Sequence, residues 1–362
     1  MRVLVTGGAG FIGSHVVDAL LEAGADVRVL DALDPSVHGD SAPALDERAE
    51  LLVGNLTDPT MIDAAVAGVD AVCHQAARVG LGVDFGDVSG YVADNDAGTA
   101  GLLAGLWRVG FHGRLVLASS MVIYGEGLGH CWEHGSVRPA PRLEANLAAG
   151  EFEPRCPRCG GFVTMQLVDE TAPPDPRNVY AATKLHQEHL CRLWANEAGA
   201  SVIALRYHNV YGPRMPRDTP YAGVAAIFRS AAAAGRQPQV YEDGGQTRDF
   251  VHVRDVARAN QLALAADWLS RGEARAYNIA SGWPRTVLDL ARAVCGSGAT
   301  DATGPVVTGA WRAGDVRHIV ASPIRAGDEL GFRAEVSFED GMAEFVGAPL
   351  REGRRTAPAT AT

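Results

Sequence analysis

Hydrophobic and polar positions along this chain follow two rhythms. Short apolar runs alternate with longer stretches whose apolar residues recur every three or four positions. The first rhythm predicts strands and the second amphipathic helices. Strands are expected over residues 2–6, 26–30 (with Asp31 at the end), 50–53, 70–74, 114–119, 202–207 and 277–280, with a short one at 239–241. Helices are expected over 11–23, 88–109, 179–198, 224–234, 253–269, 287–294 and 338–345. Another starts at Asp58, a capping residue, with Pro59 at its first position. Such alternation builds a doubly wound parallel sheet with helices on both faces. The rhythm fails over 126–176, which is rich in Gly, Pro, Glu and Arg, and is mixed after residue 207.

The first turn carries chemistry. Gly7, Gly10 and Gly13 stand between the first strand and the first helix at the spacing G-x-x-G-x-x-G. The first glycine permits a tight turn, the second a close approach to pyrophosphate, and the third close packing of helix on strand. Free N–H groups at the helix start favour the phosphates. Asp31, ending the second strand, can accept bonds from both hydroxyls of an adenosine ribose and would repel a 2′-phosphate, so NAD is expected over NADP. The expected fold is therefore α/β, a Rossmann-type sheet with a smaller mixed α/β C-terminal lobe and an insert. The NAD-binding domain is expected over 1–207, interrupted by the insert at 126–176, with a substrate lobe at 208–350 and a frayed tail at 351–362.

Composition narrows the class. The chain has 362 residues, 47% of them apolar, and a net charge of −11, which argues against a nucleic-acid partner bound through a basic surface. No apolar run reaches membrane-spanning length, and the N-terminus enters a strand directly, so a cytoplasmic location without a signal peptide is expected. The six cysteines are spread as in a protein of a reducing compartment. Four metal-ligating side chains fall in the insert as two short-spaced pairs, Cys131-x-x-His134 and Cys156-x-x-Cys159, with Gly160-Gly161 following. Zinc takes four such ligands in a tetrahedron, and an all-protein set predicts a structural site. His130 is an alternative ligand, and Cys73, Cys191 and Cys295 are expected to be buried core thiols.

Tyr180 and Lys184 lie four apart on one helix and so on one face. A free phenol has a pKa of about 10, too high for a base at neutral pH. A nearby ammonium and a positive nicotinamide ring are expected to lower it. Ser120 follows a strand at the sheet edge where ligands bind. A serine hydroxyl and a phenolate together suit proton removal from a sugar hydroxyl as hydride leaves its carbon.

These residues give the chain its resemblance to the extended short-chain dehydrogenase/reductase family, the nucleotide-sugar epimerases and dehydratases. The resemblance rests on TGGAGFIGSH at the start, Asp31, His74-Gln75-Ala76-Ala77, Asn95 with Gly98-Thr99, Ser119-Ser120 and Tyr180…Lys184. It continues through Arg206-Tyr207-His208-Asn209-Val210-Tyr211-Gly212-Pro213, Arg248-Asp249-Phe250-Val251-His252, Tyr277-Asn278-Ile279 and Arg312-Ala313-Gly314-Asp315. It implies catalytic roles for Ser120, Tyr180 and Lys184. On the cofactor side it implies Phe11, Ile12, Asn55, Leu56, Gln75, Ala76, Ala77, Asn95, Ser119, Tyr180, Lys184 and Tyr207, beside the three glycines and Asp31. It places Ser120, Met121, Asn209, Arg248, Arg312 and Asp315 on a nucleotide sugar, with the arginines at its diphosphate. It also implies a homodimer built on the helices at 88–109 and 179–198.

Family members begin by oxidising a sugar carbon, usually C4. Dehydratases typically follow the catalytic hydroxyl with Asp and Glu, where this chain has Met121 and Val122, which transfer no protons. The simplest expectation is 4-epimerisation, with a 4-reductase or dehydrogenase, or a non-catalytic NAD-binding regulator, as alternatives. The insert and the run 206–221 are similar to bacterial dTDP-L-rhamnose 4-epimerase-like proteins, which implies a dTDP-6-deoxyhexose substrate.

Overall fold

The computed structural model describes residues 1–38, 45–80, 85–217, 223–296, 298–300 and 302–351. The expected tail beyond Arg351, and positions 218–221 of the run 206–221, lie outside the described residues. Seven strands form one sheet: Arg2–Thr6 (β1), Asp26–Asp31 (β2), Glu50–Val53 (β3), Ala71–His74 (β4), Arg114–Ser120 (β5), Ser201–Tyr207 (β6) and Ala274–Ile279 (β7). They run in the order β7-β6-β5-β4-β1-β2-β3, and every pair is parallel. The order reverses beside β1, so a crevice opens at the carboxyl ends of β1 and β4.

Both faces of the sheet are covered, and the strands are apolar on both. Val3, Val5, Val27 and Val29 pack with helix α1 (Phe11–Glu22) on one face. Leu4, Leu30, Val72 and Leu115 pack on the other, against helices α2 (Pro59–Val66), α3 (Gly98–Arg108) and α4 (Val179–Ala198). A fifth helix, α5 (Val253–Ala265), returns to pack on α1.

The expected division at residue 207 is therefore one of layers and not of chain, because α5 and β7 come back to the sheet from beyond it. The remaining C-terminal segments form a separate core around Tyr211, Phe228, Phe250, Leu290 and Phe345. There Thr247–His252 pairs with Asn209–Tyr211, Pro284–Thr286 and His318–Ile319.

Three local features depart from the sequence pattern. The helix expected over 88–109 contains a π-helical stretch, Val92–Ala97, whose wider turn carries the buried Asn95. The aperiodic insert is folded: Leu128–Cys131 pairs antiparallel with Gly135–Val137 and Thr164–Gln166 around Cys131, Val137, Cys156 and Val163. Short strands around two ligand pairs need little apolar periodicity, which is why the pattern missed them. Cys73 and Cys191 are buried as expected, but Cys295, at the end of its helix, is only partly so.

The end of α2 shows how a polar side chain stabilises this core. Arg28, on β2, is buried and donates from Nη1 to the carbonyls of Ala64, Ala65 and Ala67 at 3.0, 3.1 and 2.8 Å. Those carbonyls have no partner further along the helix, and a guanidinium both bonds them and offsets the negative helix end. Arg28→Met keeps the stem but leaves the carbonyls buried and unpaired. The expected cost is about 1–3 kcal/mol, read as a lowered urea midpoint with an unchanged slope.

Candidate active site

A cavity of about 1050 Å³ runs along the carboxyl edge of the sheet and into the C-terminal segments. The glycine turn lines it. Gly7 has φ +68°, and a Cβ there would come within 2.6 Å of the Ala76 nitrogen. A Cβ on Gly13 would stand 2.1 Å from the Gly7 carbonyl oxygen. Helix α1 starts without a side-chain cap, and Phe11, Ile12 and Gly13 line the cavity. An uncapped helix start facing a concavity suits the phosphates of a dinucleotide. Asp31 also lines the cavity, accepting from the backbone N–H of Ala9 and of Leu33, both at 2.9 Å. Burial works to raise its carboxyl, but His38 and those N–H groups outweigh it and hold it below the usual range. A carboxylate thus faces the place where a ribose would lie.

Asn55, Leu56, Gln75, Ala76, Ala77, Ser119 and Tyr207 line the same cavity. Asn95 does not: its amide brackets the backbone of Arg78 at 2.7 and 3.0 Å and donates to Thr183 Oγ1 at 3.0 Å. The resemblance placed Asn95 on the cofactor, whereas here it braces a wall of the cavity against α4. A buried polar chain continues from it, as Gln187 meets Thr99 at 2.6 Å and His74 bridges Thr99 and Thr6 at 2.8 and 2.7 Å. The helix of Tyr180 is thereby tied to β1.

Ser120, Tyr180 and Lys184 line the same cavity. Ser120 ends β5, and its hydroxyl accepts from the Val122 N–H at 3.4 Å and lies beside the Tyr180 phenol. Asn178 caps α4 and so sets where Tyr180 begins its turn. Lys184, 3% exposed, donates to the Ala118 carbonyl at 2.8 Å. Burial pushes the Tyr180 phenol up to about 12, opposed by the Ser120 hydroxyl. The expected lowering by a nearby ammonium is not supplied by the chain alone; Lys184 Nζ lies 6.0 Å from the ring centroid and spends a hydrogen bond on backbone.

Met121, Asn209, Arg248, Arg312 and Asp315 line the same cavity. Arg248 donates to the carbonyls of Thr247, Arg317 and Val316 at 2.8, 2.9 and 2.6 Å, which aims its fork. Arg312 is exposed and lies over the Tyr241 ring, 5.0 Å from its centroid. Burial raises the Asp315 carboxyl, against the pull of Arg312 and Arg248. Met121 and Val122 line the cavity, and neither side chain carries a transferable proton.

His208 and Gln246 line the cavity but were not singled out from sequence, whereas Asn209 was. His208 is buried, neither ring nitrogen has a hydrogen-bond partner, and burial drives its pKa down to about 3, so it is neutral. The carbonyl oxygens of the Asn209 and Gln246 side chains are likewise buried without partners. Unpaired buried polar groups around one cavity are costly unless a ligand pairs them. The motif around 206–213 contains His208, but nothing in the spacing says that it faces inward.

In the insert, the Cys131, His134, Cys156 and Cys159 ligand atoms all lie within 4.8 Å of one another. Cys131 Sγ is 3.6 Å from His134 Nδ1 and 3.6 Å from Cys159 Sγ, and Cys156 Sγ is 3.7 Å from His134 Nδ1. A tetrahedral zinc with bonds of about 2.3 Å to sulfur and about 2.0 Å to nitrogen has edges of about 3.5–3.8 Å, so this donor set fits the ion. His130 is exposed and outside the cluster.

The chain belongs to the NAD dependent epimerase/dehydratase family, whose model matches residues 3–144 and 161–280. The unmatched stretch between them contains Cys156 and Cys159. The chain is 34% identical to a dTDP-L-rhamnose 4-epimerase of Burkholderia thailandensis, over 95% of its own length and 93% of the relative's. It is 30% identical to a dTDP-glucose 4,6-dehydratase of Streptomyces niveus, over 96% and 92% of the two chains. The fold is similar to that of the Thermus thermophilus UDP-glucose 4-epimerase solved with NAD, with a TM-score of 0.74, 31% identity, and 96% and 98% of the chains covered.

Lys184 carries a testable cost. Burial lowers its amine from 10.5 to about 8, so the folded protein holds fewer protons than the unfolded chain between those values. Stability therefore rises with pH through that window, and the full penalty applies below pH 8. Lys184→Met is expected to raise the melting temperature of ligand-free protein at pH 7 by a few degrees, and the gain should shrink as pH approaches 10. A gain independent of pH contradicts this account.

Proposed function

We propose that this protein is an NAD-dependent nucleotide-sugar 4-epimerase. The observation that carries the reading is that Ser120, Tyr180 and Lys184 line one cavity together with the glycine turn and the arginines. The glycine turn, Asp31 and the residues beside them would hold NAD, and bound there NAD supplies a reversible acceptor for the hydride of a sugar carbon. The chain's own task is proton transfer and orientation. Tyr180 accepts the proton of the sugar hydroxyl and returns it, and Ser120 bonds both the phenol and that hydroxyl. The positive charge of Lys184 favours the phenolate once ligands exclude water. Arg248 and Arg312 offer guanidinium groups to the diphosphate, and Asn209 and His208 offer unpaired polar atoms to the ligands.

Met121 and Val122 favour inversion over elimination, since neither moves a proton. The keto sugar formed at C4 then turns over and is reduced on its other face. The likeness to the Burkholderia thailandensis rhamnose epimerase supports a dTDP-6-deoxyhexose as substrate. Incubation with a panel of dTDP- and UDP-sugars, with products read by NMR, tests the assignment. The expected product is the C4 epimer, with no net change in cofactor redox state. Tyr180→Phe should lower kcat by about a hundredfold or more and leave NAD binding nearly unchanged. A 4-keto-6-deoxy product, or near-normal turnover by the variant, overturns the reading.

Zinc is assigned to Cys131, His134, Cys156 and Cys159 on the edge lengths above. Metal binding supplies on the order of 10 kcal/mol in isolated zinc peptides, enough to order a segment with a small core. Protein purified without chelator should contain one zinc per chain. Cys156→Ser with Cys159→Ser should lose it and make the insert protease-sensitive, with NAD binding retained.

A homodimer through the surface of α3 and α4 is favoured by exposed apolar side chains there: Trp107 on α3, Leu193 on α4, and Val92 in the π-helical stretch ahead of α3. Light scattering at micromolar concentration should give twice the chain mass. No described helix is long and apolar enough to cross a membrane, and free thiols suit a reducing cytoplasm.

A further inference from the structure

The loop that carries Arg312 and Asp315 has little regular structure of its own, yet its far end is gripped by three insert side chains. Arg142 donates to the Asp315 carbonyl at 2.6 Å and to the Phe152 carbonyl at 3.1 Å. Glu126 accepts the Arg317 backbone N–H at 3.2 Å. Glu153 accepts from Arg317 Nε and Nη2 at 2.9 and 2.6 Å, and meets His318 Nε2 at 2.8 Å. The grip is buried where it matters. Arg317 and Glu242 are each 2% exposed, and Glu242 receives Arg317 and Arg142, both at 2.8 Å. Glu242 also lines the cavity and holds φ +53°, a conformation costly for a residue with a side chain.

Such a cluster is a poor way to gain stability. Desolvating several charges offsets much of their attraction, and one removed partner leaves another buried and unpaired. It is a good way to set a register, because forked guanidinium groups accept few geometries. The insert that supplies it also carries the four metal-ligating side chains. Arg142 and Glu153 both lie between the Cys131/His134 pair and the Cys156/Cys159 pair, and Glu153 stands three residues before Cys156.

We propose that the zinc-ordered insert positions the diphosphate-binding loop, with Arg142 as the residue that transmits the insert's geometry to Asp315 and Glu242. Arg142 is a positioning residue: it bonds the Asp315 backbone and is not among the residues lining the cavity. The inference rests on reading that part of the cavity as the nucleotide-sugar site. It gives the insert a role in substrate affinity and none in cofactor binding, since the bonds of Arg142, Glu126 and Glu153 run to residues 152, 242, 315, 317 and 318 and not to the glycine turn.

Calorimetric titration of the NAD-loaded full chain with UDP and with dTDP tests it, beside steady-state kinetics on the substrate found above. Arg142→Met is expected to weaken the preferred diphosphate about tenfold and raise KM to match. Its kcat, zinc content and NAD affinity should stay close to the parent's. Arg142→Lys should recover part of the affinity, because one ammonium replaces one of the fork's contacts. Removing zinc from the parent with a chelator should weaken the diphosphate in the same direction. A folded, zinc-replete Arg142→Met with parental diphosphate affinity and KM overturns the proposal. Should that variant not fold, Arg142→Lys and Glu153→Gln decide by the same measure. A parent that binds neither diphosphate overturns the reading of the site itself, a result distinct from parental binding in the variants.

Discussion

The chain can leave β1 and enter α1 only where side chains are absent. Gly7 turns with positive φ against the backbone of Ala76, and Gly13 rests on the Gly7 carbonyl so closely that no Cβ fits between them. That contact brings the start of α1 down onto the carboxyl end of the sheet. It also leaves the first N–H groups of the helix facing the cavity. The position of Asp31 follows, because its carboxylate is held by the N–H of Ala9 inside the same turn. Without this close approach the sheet would still twist and pack, but its edge would offer no cradle for a pyrophosphate.

From that edge two polar systems spread in opposite directions, and they differ in kind. Toward α4 the links are neutral: Thr6, His74, Thr99, Gln187, Asn95 and Thr183 pass hydrogen bonds between the sheet and the helix of Tyr180. Neutral groups hydrogen-bonded in a core are less costly than buried charges and are stiff, although Gln187 Oε1 is left without a partner. Toward the insert the links are ionic, through Arg142, Arg317, Glu153 and Glu242. The costlier system stands next to the loop that would handle a dianion. The same guanidinium chemistry that orders this region is the kind the proposed diphosphate site would use.

The candidate catalytic groups show an exchange of stability for function. Tyr180 and Lys184 are pushed away from their charged forms by burial. The protein alone thus holds the Tyr180 phenol protonated, and the proposed phenolate would await charges that ligands bring. His208, buried with both nitrogens unpaired, belongs to the same economy.

Much of this was legible in the residues themselves. Period-two apolar runs and period-3.6 helices are local properties, so the sheet, its flanking helices and the glycine turn could be read in order. The spacing of Tyr180 and Lys184 is a helical repeat, and the two Cys/His pairs are short-range motifs, so both could be named before any fold. Other features arise from contacts between distant segments and had no local signature. The return of β7 and α5 to the sheet depends on which edge the chain reaches after residue 207. The turning of Asn95 away from the cavity depends on a π-helical stretch packed against α4. The inward face of His208 depends on where β6 ends against β7. The meeting of Arg142 with Glu242 and Asp315 joins residues 100 and 173 positions apart (242 − 142 and 315 − 142), and no pattern along the chain encodes such a pairing. The sequence by itself determined the chemical groups and the local elements, because those depend on neighbours in the chain. The tertiary structure alone decided which groups share one cavity, because that depends on packing across the sheet.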